Sequence, residues 1–349
     1  MFAPDATVPD PAPLAVLCDA LGERAAATDE LGPWQSGAFD LLARAGVLAG
    51  FIPTADGGTG ATEPAILDAL VAIASRCLTT ALALTQWASG CRIITGGDDA
   101  TRSRWLPALA AGTITTTVGI AQLSTSRRHL GAPALAARMA NGAWRLTGLC
   151  PWVTGADSAD AIVTGAVRDD GRQLFFIVPT DSPGLAIAPP MRMLALSGSR
   201  TSSVTFTDVA PVAVIEPQAT GGVRTGGLAT TALALGSTRL ALTVLEGEAA
   251  ARESLAPVAE ALRAEAAAVA TRLRRAATDE AEDRDHLRAD ANGLVIRAAQ
   301  AALTATKGAG FVAGHPAERL VREAHFFLVW SCPQTVAGIT LCELSRIDM

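Results

Sequence analysis

Residues 144–155, Trp-Arg-Leu-Thr-Gly-Leu-Cys-Pro-Trp-Val-Thr-Gly, decide the interpretation of the fold. They lie in a region, Thr113 to Ile215, where Thr, Val, Ile and Phe recur in short runs. Such runs are typical of β-strands. The pairs Asn141-Gly142, Asp170-Gly171 and Pro183-Gly184 interrupt them as turns. We therefore expect a β unit of strands joined by hairpins.

The chain on both sides of this β unit reads as helical. From Leu14 to Leu109 apolar residues recur three and four positions apart, and from Leu228 onward long Ala-, Leu- and Arg-rich stretches return. Gln218 to Gly227 contains four glycines and breaks both patterns. We predict three units: residues 1–112 helical, 113–217 β, and 218–349 a helical unit long enough for four antiparallel helices. The charged stretch Thr271 to Asp290 is predicted to be a solvated loop between two helices.

Composition excludes several classes of protein. The 349 residues carry a net charge of −6 with acidic and basic residues interleaved, which leaves no cationic surface for nucleic acid. The six cysteines are scattered, without the paired spacing of a zinc site, and no metal is expected. The acidic, Pro-containing Met1 to Pro13 does not read as a secretory signal, so we expect a cytoplasmic protein. The apolar run Leu228 to Leu245, interrupted by Arg239, predicts a buried helix and no membrane span.

The stretch 144–155 resembles the flavin-facing core of the acyl-CoA dehydrogenase superfamily. Other segments resemble that family in its own order along the chain: Leu41–Val47, Phe51–Pro53 with Gly57-Gly58, Arg104–Gly112, Gly198–Val209, Lys307–Phe311 and His315–Glu323. The resemblance implies an α+β, mostly α fold: an N-terminal helical domain, a small middle β-barrel or sandwich domain, and a C-terminal four-helix bundle.

The resemblance also implies a flavin cofactor, FAD in most of the family. There a strand carrying Trp-x-Thr lies against the isoalloxazine ring, and Trp152 and Thr154 stand at those positions. A flavin that takes hydride at N5 needs donors near N5 and O4, which Thr154 and nearby backbone amides would supply. The alternative is that both are ordinary strand residues packed in a sandwich.

Upstream, the family has a Thr-Glu-Pro-like turn and a Gly-Ser-Asp run that touch flavin and substrate. This chain has Ala-Gln-Leu-Ser-Thr-Ser-Arg-Arg-His at residues 121–129. Ser124 and Thr125 keep hydroxyls that could bind the ring. Arg127 and Arg128 add charge for a phosphate or an anionic substrate group, with a solvated basic loop as the alternative.

In the family, some phosphate donors come from an Arg-x-x-Phe-Gly segment and from a late glycine turn, partly across a subunit boundary. Arg252 keeps the arginine, while Leu255-Ala256 replaces Phe-Gly. Gly308 and Gly310 keep the turn, although a bare helix C-cap would explain these glycines equally. A shared site would make the protein a homodimer or homotetramer.

The catalytic base is the largest departure from the family. Dehydrogenation of an acyl thioester requires a carboxylate that removes the α-proton. One family position for it falls at Trp330, within Val329–Gln334, and the other at Gly226, at the start of the first bundle helix; both lack a carboxylate. The catalytic residues are therefore unknown from sequence.

Three interpretations remain. Glu246, Glu248, Asp157 or His325 could be a displaced base acting on an acyl-CoA or carrier-bound acyl thioester. The chain could instead be a flavin-dependent monooxygenase, which uses reduced FMN or FAD and oxygen and needs no carboxylate base. It could also be a non-catalytic paralogue with the same fold.

Overall fold

The computed structural model describes residues 11–29, 36–124, 133–217, 227–278 and 281–347. Its first unit is helical. The bounds are α1 Pro11–Asp29, α2 Ser36–Arg44, α3 Val47–Gly50, α4 Glu63–Ala74, α5 Leu78–Thr95 and α6 Asp99–Ala110. Local chemistry sets where these helices begin: Thr62 caps α4, with Pro64 in its first turn, and the carboxylate of Asp98 accepts from the Thr101 amide at the start of α6.

In the middle unit, the described residues form one eight-stranded sheet. Its elements are β1 Thr116–Gly119, α7 Ala121–Ser124, β2 Leu135–Ala140, β3 Ala143–Val153, β4 Ala161–Arg168, β5 Gln173–Pro179, β6 Leu185–Ile187, β7 Ser202–Val209 and β8 Ala213–Ile215. The order along the sheet is β6-β7-β3-β2-β4-β5-β8, and β1 pairs with β4 in parallel.

Two of the three predicted hairpins are present. Asn141-Gly142 joins β2 to β3, with positive φ at both residues as this type of tight turn requires, and Asp170-Gly171 joins β4 to β5. The prediction was wrong at Pro183-Gly184: the turn leads from β5 into β6, which pairs with β7 on the far side of the sheet. The partner of β6 is set by the pairing of strands that are distant along the chain, and the residues of the turn carry no information about it.

The last unit is again helical, with α8 Leu228–Ala251, α9 Ala256–Thr278, α10 Arg284–Thr306, α11 Pro316–Ala324 and α12 Gln334–Ser345. The predicted layout of helices, sheet and helices is thus confirmed, while the boundaries at residues 112 and 217 stay predictions. By length and hydropathy α8 could cross a membrane, but 72% of its most apolar window is buried within the molecule. It packs against α4, α9 and α10, as the prediction of a buried helix required.

The charged stretch Thr271 to Asp290 is mostly helix, and its prediction as a loop was wrong. α9 continues to Thr278 and α10 begins at Arg284. The charges pair with one another: the buried Glu282 accepts from Arg272 and Arg275, and Arg272 also reaches Asp290 at 2.5 Å. The stretch holds many charged residues because they form ion pairs between the ends of the two helices; in the sequence alone, the same residues are typical of a solvated loop.

Candidate functional site

Trp152 and Thr154 occupy the end of β3, where the strand is irregular. Between Cys150 and Val153 the register against β7 shifts by one residue, so β3 holds an extra residue beside Trp152. Bulges of this kind turn a side chain out of the regular alternation. Cys150 and Val153 point into the core of the sheet unit, while Trp152 remains 49% exposed. A half-exposed indole at a strand end fits a surface on which a planar ring can stack.

Thr154 lies just beyond the strand and is only 8% exposed. Its carbonyl accepts from the Thr117 hydroxyl at 2.7 Å, which fixes the backbone here. Its own hydroxyl lies 3.1 Å from the hydroxyl of Thr201, and that of Thr201 lies 2.9 Å from the hydroxyl of Ser199. The predicted flavin contact is therefore the end of a buried row of three hydroxyls, a feature that sequence spacing could not reveal.

The upstream stretch is only partly described. Ser124 ends α7, but its side chain, Thr125, Arg127 and Arg128 lie outside the described residues. Within α7, the buried Gln122 donates to the Gly165 carbonyl at 2.7 Å and accepts from the Cys150 thiol at 3.0 Å. Burial raises the pKa of Cys150 to about 12, so this thiol stays protonated and acts as a donor. Gln122 thus ties α7 to the back of the Trp152 strand.

Arg252 lies against the end of α10, just before the late glycine turn. The Arg252 guanidinium donates to the carbonyl of Ala305, one turn before Gly308, and to Glu248 at 2.6 Å. Gly310 is required by packing, because a Cβ there would lie 1.9 Å from the Thr306 hydroxyl, whereas one at Gly308 would meet open space. Among the described residues, no hydrogen bond joins this group to Trp152 or Thr154.

Arg288 joins Trp330, at one of the two vacant base positions, to the first turn of α8. Trp330 stacks on Phe326 with ring centroids 5.0 Å apart, and its carbonyl accepts from Arg288 at 2.7 Å. The second family position, Gly226, lies outside the described residues, but Thr230 in the first turn of α8 accepts from Arg288 at 2.7 Å.

The Arg288 side chain is 1% exposed, and burial lowers its pKa to about 10. It therefore remains a cation at neutral pH. Its two terminal nitrogens donate to Thr230 and Trp330, and among the described residues its Nε lacks a hydrogen-bond partner. No local sequence pattern marks Arg288, because its partners lie 58 and 42 residues away along the chain.

The four displaced-base candidates are all engaged elsewhere. Glu246 pairs with Arg263, Glu248 with Arg252, and Asp157 with Arg200 through two donors. The His325 ring nitrogen Nδ1 lies 2.6 Å from the Val321 carbonyl. The three carboxylates are thus held in ion pairs, while His325 donates from Nδ1 to the carbonyl, which leaves Nε2 as its proton-accepting atom.

Glu323 is a carboxyl that the sequence analysis did not single out. It is 4% exposed, and burial raises its pKa to about 7. The positive charge of Arg319, whose Nε lies 3.6 Å away, lowers the pKa but by less than burial raises it. Groups of three or more His, Cys, Asp or Glu suited to a metal ion are absent from the described part of the chain.

Comparisons with known proteins agree with this architecture. Residues 15–113 match the acyl-CoA dehydrogenase N-terminal domain. A probable acyl-CoA dehydrogenase of Bacillus subtilis, YngJ, is 26% identical over 230 residues, covering 61% of this chain and 60% of that protein. The matched region thus spans less than two thirds of that relative's length.

Two solved structures resemble the whole chain. Butyryl-CoA dehydrogenase from Megasphaera elsdenii is 19% identical with a TM-score of 0.82, covering 99% of this chain and 100% of that one. KijD3, solved with FMN and an amino-deoxysugar nucleotide, is 21% identical with a TM-score of 0.77, covering 100% and 96%. At these sequence identities the similarity establishes only that this chain has the same fold as the two solved structures.

Proposed function

We propose that the protein is a flavin-dependent monooxygenase of the acyl-CoA dehydrogenase superfamily, a family that the matching N-terminal domain and the relatives support. A flavoprotein oxidoreductase is what the family comparisons support; the reaction is our inference. The observation that carries it is Arg288, a buried cation that donates to the carbonyl of Trp330, the residue at one position where a base is expected, and to Thr230 in the first turn of α8. A guanidinium donates hydrogen bonds and accepts no proton, so it cannot replace a carboxylate base.

Loss of the base weighs against acyl-thioester dehydrogenation. General-base catalysis typically contributes about 10²–10⁴-fold, and removal of a proton from carbon depends on it. The ion pairs at Glu246, Glu248 and Asp157 also argue against a displaced base. Reduced flavin, when bound, supplies the electrons that activate oxygen, which makes a carboxylate base dispensable.

The residues present fit a flavin ring better than they fit a dinucleotide. Trp152 is half-exposed, and Thr154, two residues further on, carries a buried hydroxyl that lies 3.1 Å from the hydroxyl of Thr201. Arg252, the expected phosphate ligand, is already held by Glu248 and Ala305. We therefore propose reduced FMN as the favoured form, with FAD as the form that the family resemblance implies; the FMN in KijD3 supports this choice.

We also propose that the protein is a homodimer or homotetramer. Apolar side chains are exposed on the C-terminal helices, including Phe311, which is 80% exposed beside the late glycine turn, and Leu341, Leu344 and Ile347 at the chain end. Assembly would cover them. Light scattering of the purified protein tests this directly, and a monomer at micromolar concentration would contradict it.

The test of the reaction is anaerobic spectroscopy. We expect the purified protein to bind reduced FMN more tightly than oxidised FMN, to consume oxygen on aeration, and to keep bound oxidised flavin unbleached by a panel of acyl-CoA thioesters. Bleaching by an acyl-CoA would instead establish a dehydrogenase with a displaced base. A lack of affinity for flavin in both redox states would leave the non-catalytic paralogue.

A further inference from the structure

We infer that Glu323 is a pH-sensitive switch that controls how firmly the turn Ser197–Ser199 is anchored to α1. Glu323 lies on α11, and the anchor is Asp29 at the end of α1, whose carboxylate accepts from the Leu196 amide at 3.1 Å. Leu196 directly precedes the turn. A protonated Glu323 leaves this anchor intact, and an ionised Glu323 weakens it.

The cluster around Glu323 contains more carboxyl groups than cations. The Arg322 guanidinium donates to Asp29 and to Glu318, and the other guanidinium, that of Arg319, has its Nε 3.6 Å from Glu323, beyond hydrogen-bond length. Three carboxyls thus face two guanidiniums among the described residues. Ionisation of all three would leave a net negative charge at a site where Glu323 is 4% exposed. Burial of an unbalanced charge is costly, so the neutral form of Glu323 is the one that suits the closed cluster.

Ionisation of Glu323 acts on Asp29 through charge. Burial is the largest cause that raises the pKa of Glu323 to about 7; Asp29 and Glu318 also raise the pKa, while Arg319 and Arg322 lower it. The interaction between two charges is mutual, so a negative Glu323 destabilises the negative Asp29 and competes with it for the guanidinium of Arg322. Asp29 then holds the Leu196 amide less firmly.

The other ionisable groups around α11 have different partners. His325, which follows the helix, donates from Nδ1 to the Val321 carbonyl at 2.6 Å, and Lys307 of the preceding turn is exposed. Both α8 and α10 also pack against α11. Charged side chains of these two helices form ion pairs elsewhere, such as Glu246 with Arg263, Glu248 with Arg252 and Arg297 with Glu265.

The anchored turn supports the end of the Trp152 strand. Leu196 has a φ of 63°, in the left-handed region that non-glycine residues avoid, so the turn depends on outside contacts to keep its shape. The Gly155 amide donates to the Ser199 carbonyl at 3.0 Å, which ties the turn to the residue that follows Thr154. Loosening at Leu196 would therefore reach Thr154, and its effect on flavin binding rests on the proposed function.

The test is hydrogen exchange at pH 6 and pH 8, expressed as amide protection factors that remove the intrinsic pH dependence of exchange. Opening of the cluster returns the pKa of Glu323 from about 7 toward its ordinary 4.5, so protection of residues 191–199 in wild type should fall about tenfold between the two pH values. Glu323→Gln does not ionise and should lose less than about twofold. Glu265→Gln, which breaks the pair with Arg297 outside the cluster, should behave like wild type.

Residues 191–199 should also be less protected than β4, because they open without global unfolding. The switch would be overturned if wild type and Glu323→Gln lost equal protection in residues 191–199, or if these residues and β4 had equal protection factors. Fluorescence titration with FMN tests the consequence: Kd should rise at least about threefold from pH 6 to pH 8 in wild type and stay within about twofold in Glu323→Gln. Failure of wild type to bind FMN would contradict the proposed function alone, because hydrogen exchange decides on the switch without flavin.

Discussion

Glu323 gives the fold a pH dependence opposite to that of an ordinary carboxylate. Its folded pKa is raised to about 7, above the ordinary value of 4.5, mainly by burial. Between these two pH values the folded protein holds a proton that the unfolded chain has lost. The contribution of Glu323 to the free energy of unfolding is therefore fully present below about pH 4.5. It is lost as the pH rises through 7, and the total loss is roughly 3 kcal/mol.

Glu323→Gln should remove that pH dependence, because the amide keeps the shape and does not ionise. We expect the variant to match wild type near pH 5 and to be more stable near pH 8, measured as free energies of unfolding in urea. Glu260→Gln, at an exposed site on α9, serves as the control. A difference between wild type and Glu323→Gln that stays the same at both pH values would refute the assignment.

Thr154→Val should weaken flavin binding. The Thr154 hydroxyl follows directly after β3, the strand that carries Trp152. A neutral hydrogen bond contributes about 1 kcal/mol, so its loss corresponds to roughly a fivefold rise in Kd. Fluorescence titration with FMN measures it. Thr205→Val, an exposed threonine on β7, should leave Kd unchanged. Equal Kd values for Thr154→Val and wild type would exclude Thr154 as a flavin ligand.

The turn Lys307–Phe311 contains two glycines, Gly308 and Gly310, and only Gly310 is tightly packed. Gly310→Ala should destabilise the protein by about 1–3 kcal/mol, because the new methyl overlaps Thr306, whose hydroxyl is fixed to the carbonyls of Ala302 and Leu303. Gly308→Ala is the internal control, expected within about 0.5 kcal/mol of wild type. Urea unfolding measures both, and equal effects would show that packing at Gly310 is not the constraint.

Elements defined by local signals were predictable from the sequence, and those defined by distant partners were not. The Asn141-Gly142 and Asp170-Gly171 turns depend on backbone preferences of the residues themselves. The pairing of β6 with β7, and the helical character of Thr271 to Asp290, depend on strands and ion pairs that come together only in the folded chain. The same limit separates Trp152 and Thr154, found by resemblance, from Arg288, which no local pattern marked.

At the scale of the whole molecule, one ion-pair network ties the first helix to the last unit and to the sheet's connecting loop. Arg322 of α11 reaches Asp29 of α1 and Glu318, each at 2.5 Å, and donates to the Leu194 carbonyl. Asp29 also holds Leu196, at the start of the turn that carries Ser199. Three distant parts of the chain therefore meet at one guanidinium.

Arg322→Gln should loosen this junction without unfolding the sheet. We expect a loss of about 1–3 kcal/mol in the free energy of unfolding, since several charge-assisted hydrogen bonds disappear from a partly buried site. Hydrogen exchange should accelerate in α1 and in residues 191–199 more than in α9. Arg274→Gln, which breaks the exposed pair with Asp68, should cost less than about 1 kcal/mol and leave α1 protected. Uniform acceleration across all helices in Arg322→Gln would mean that the network supports global stability and does not specifically anchor α1 to the loop.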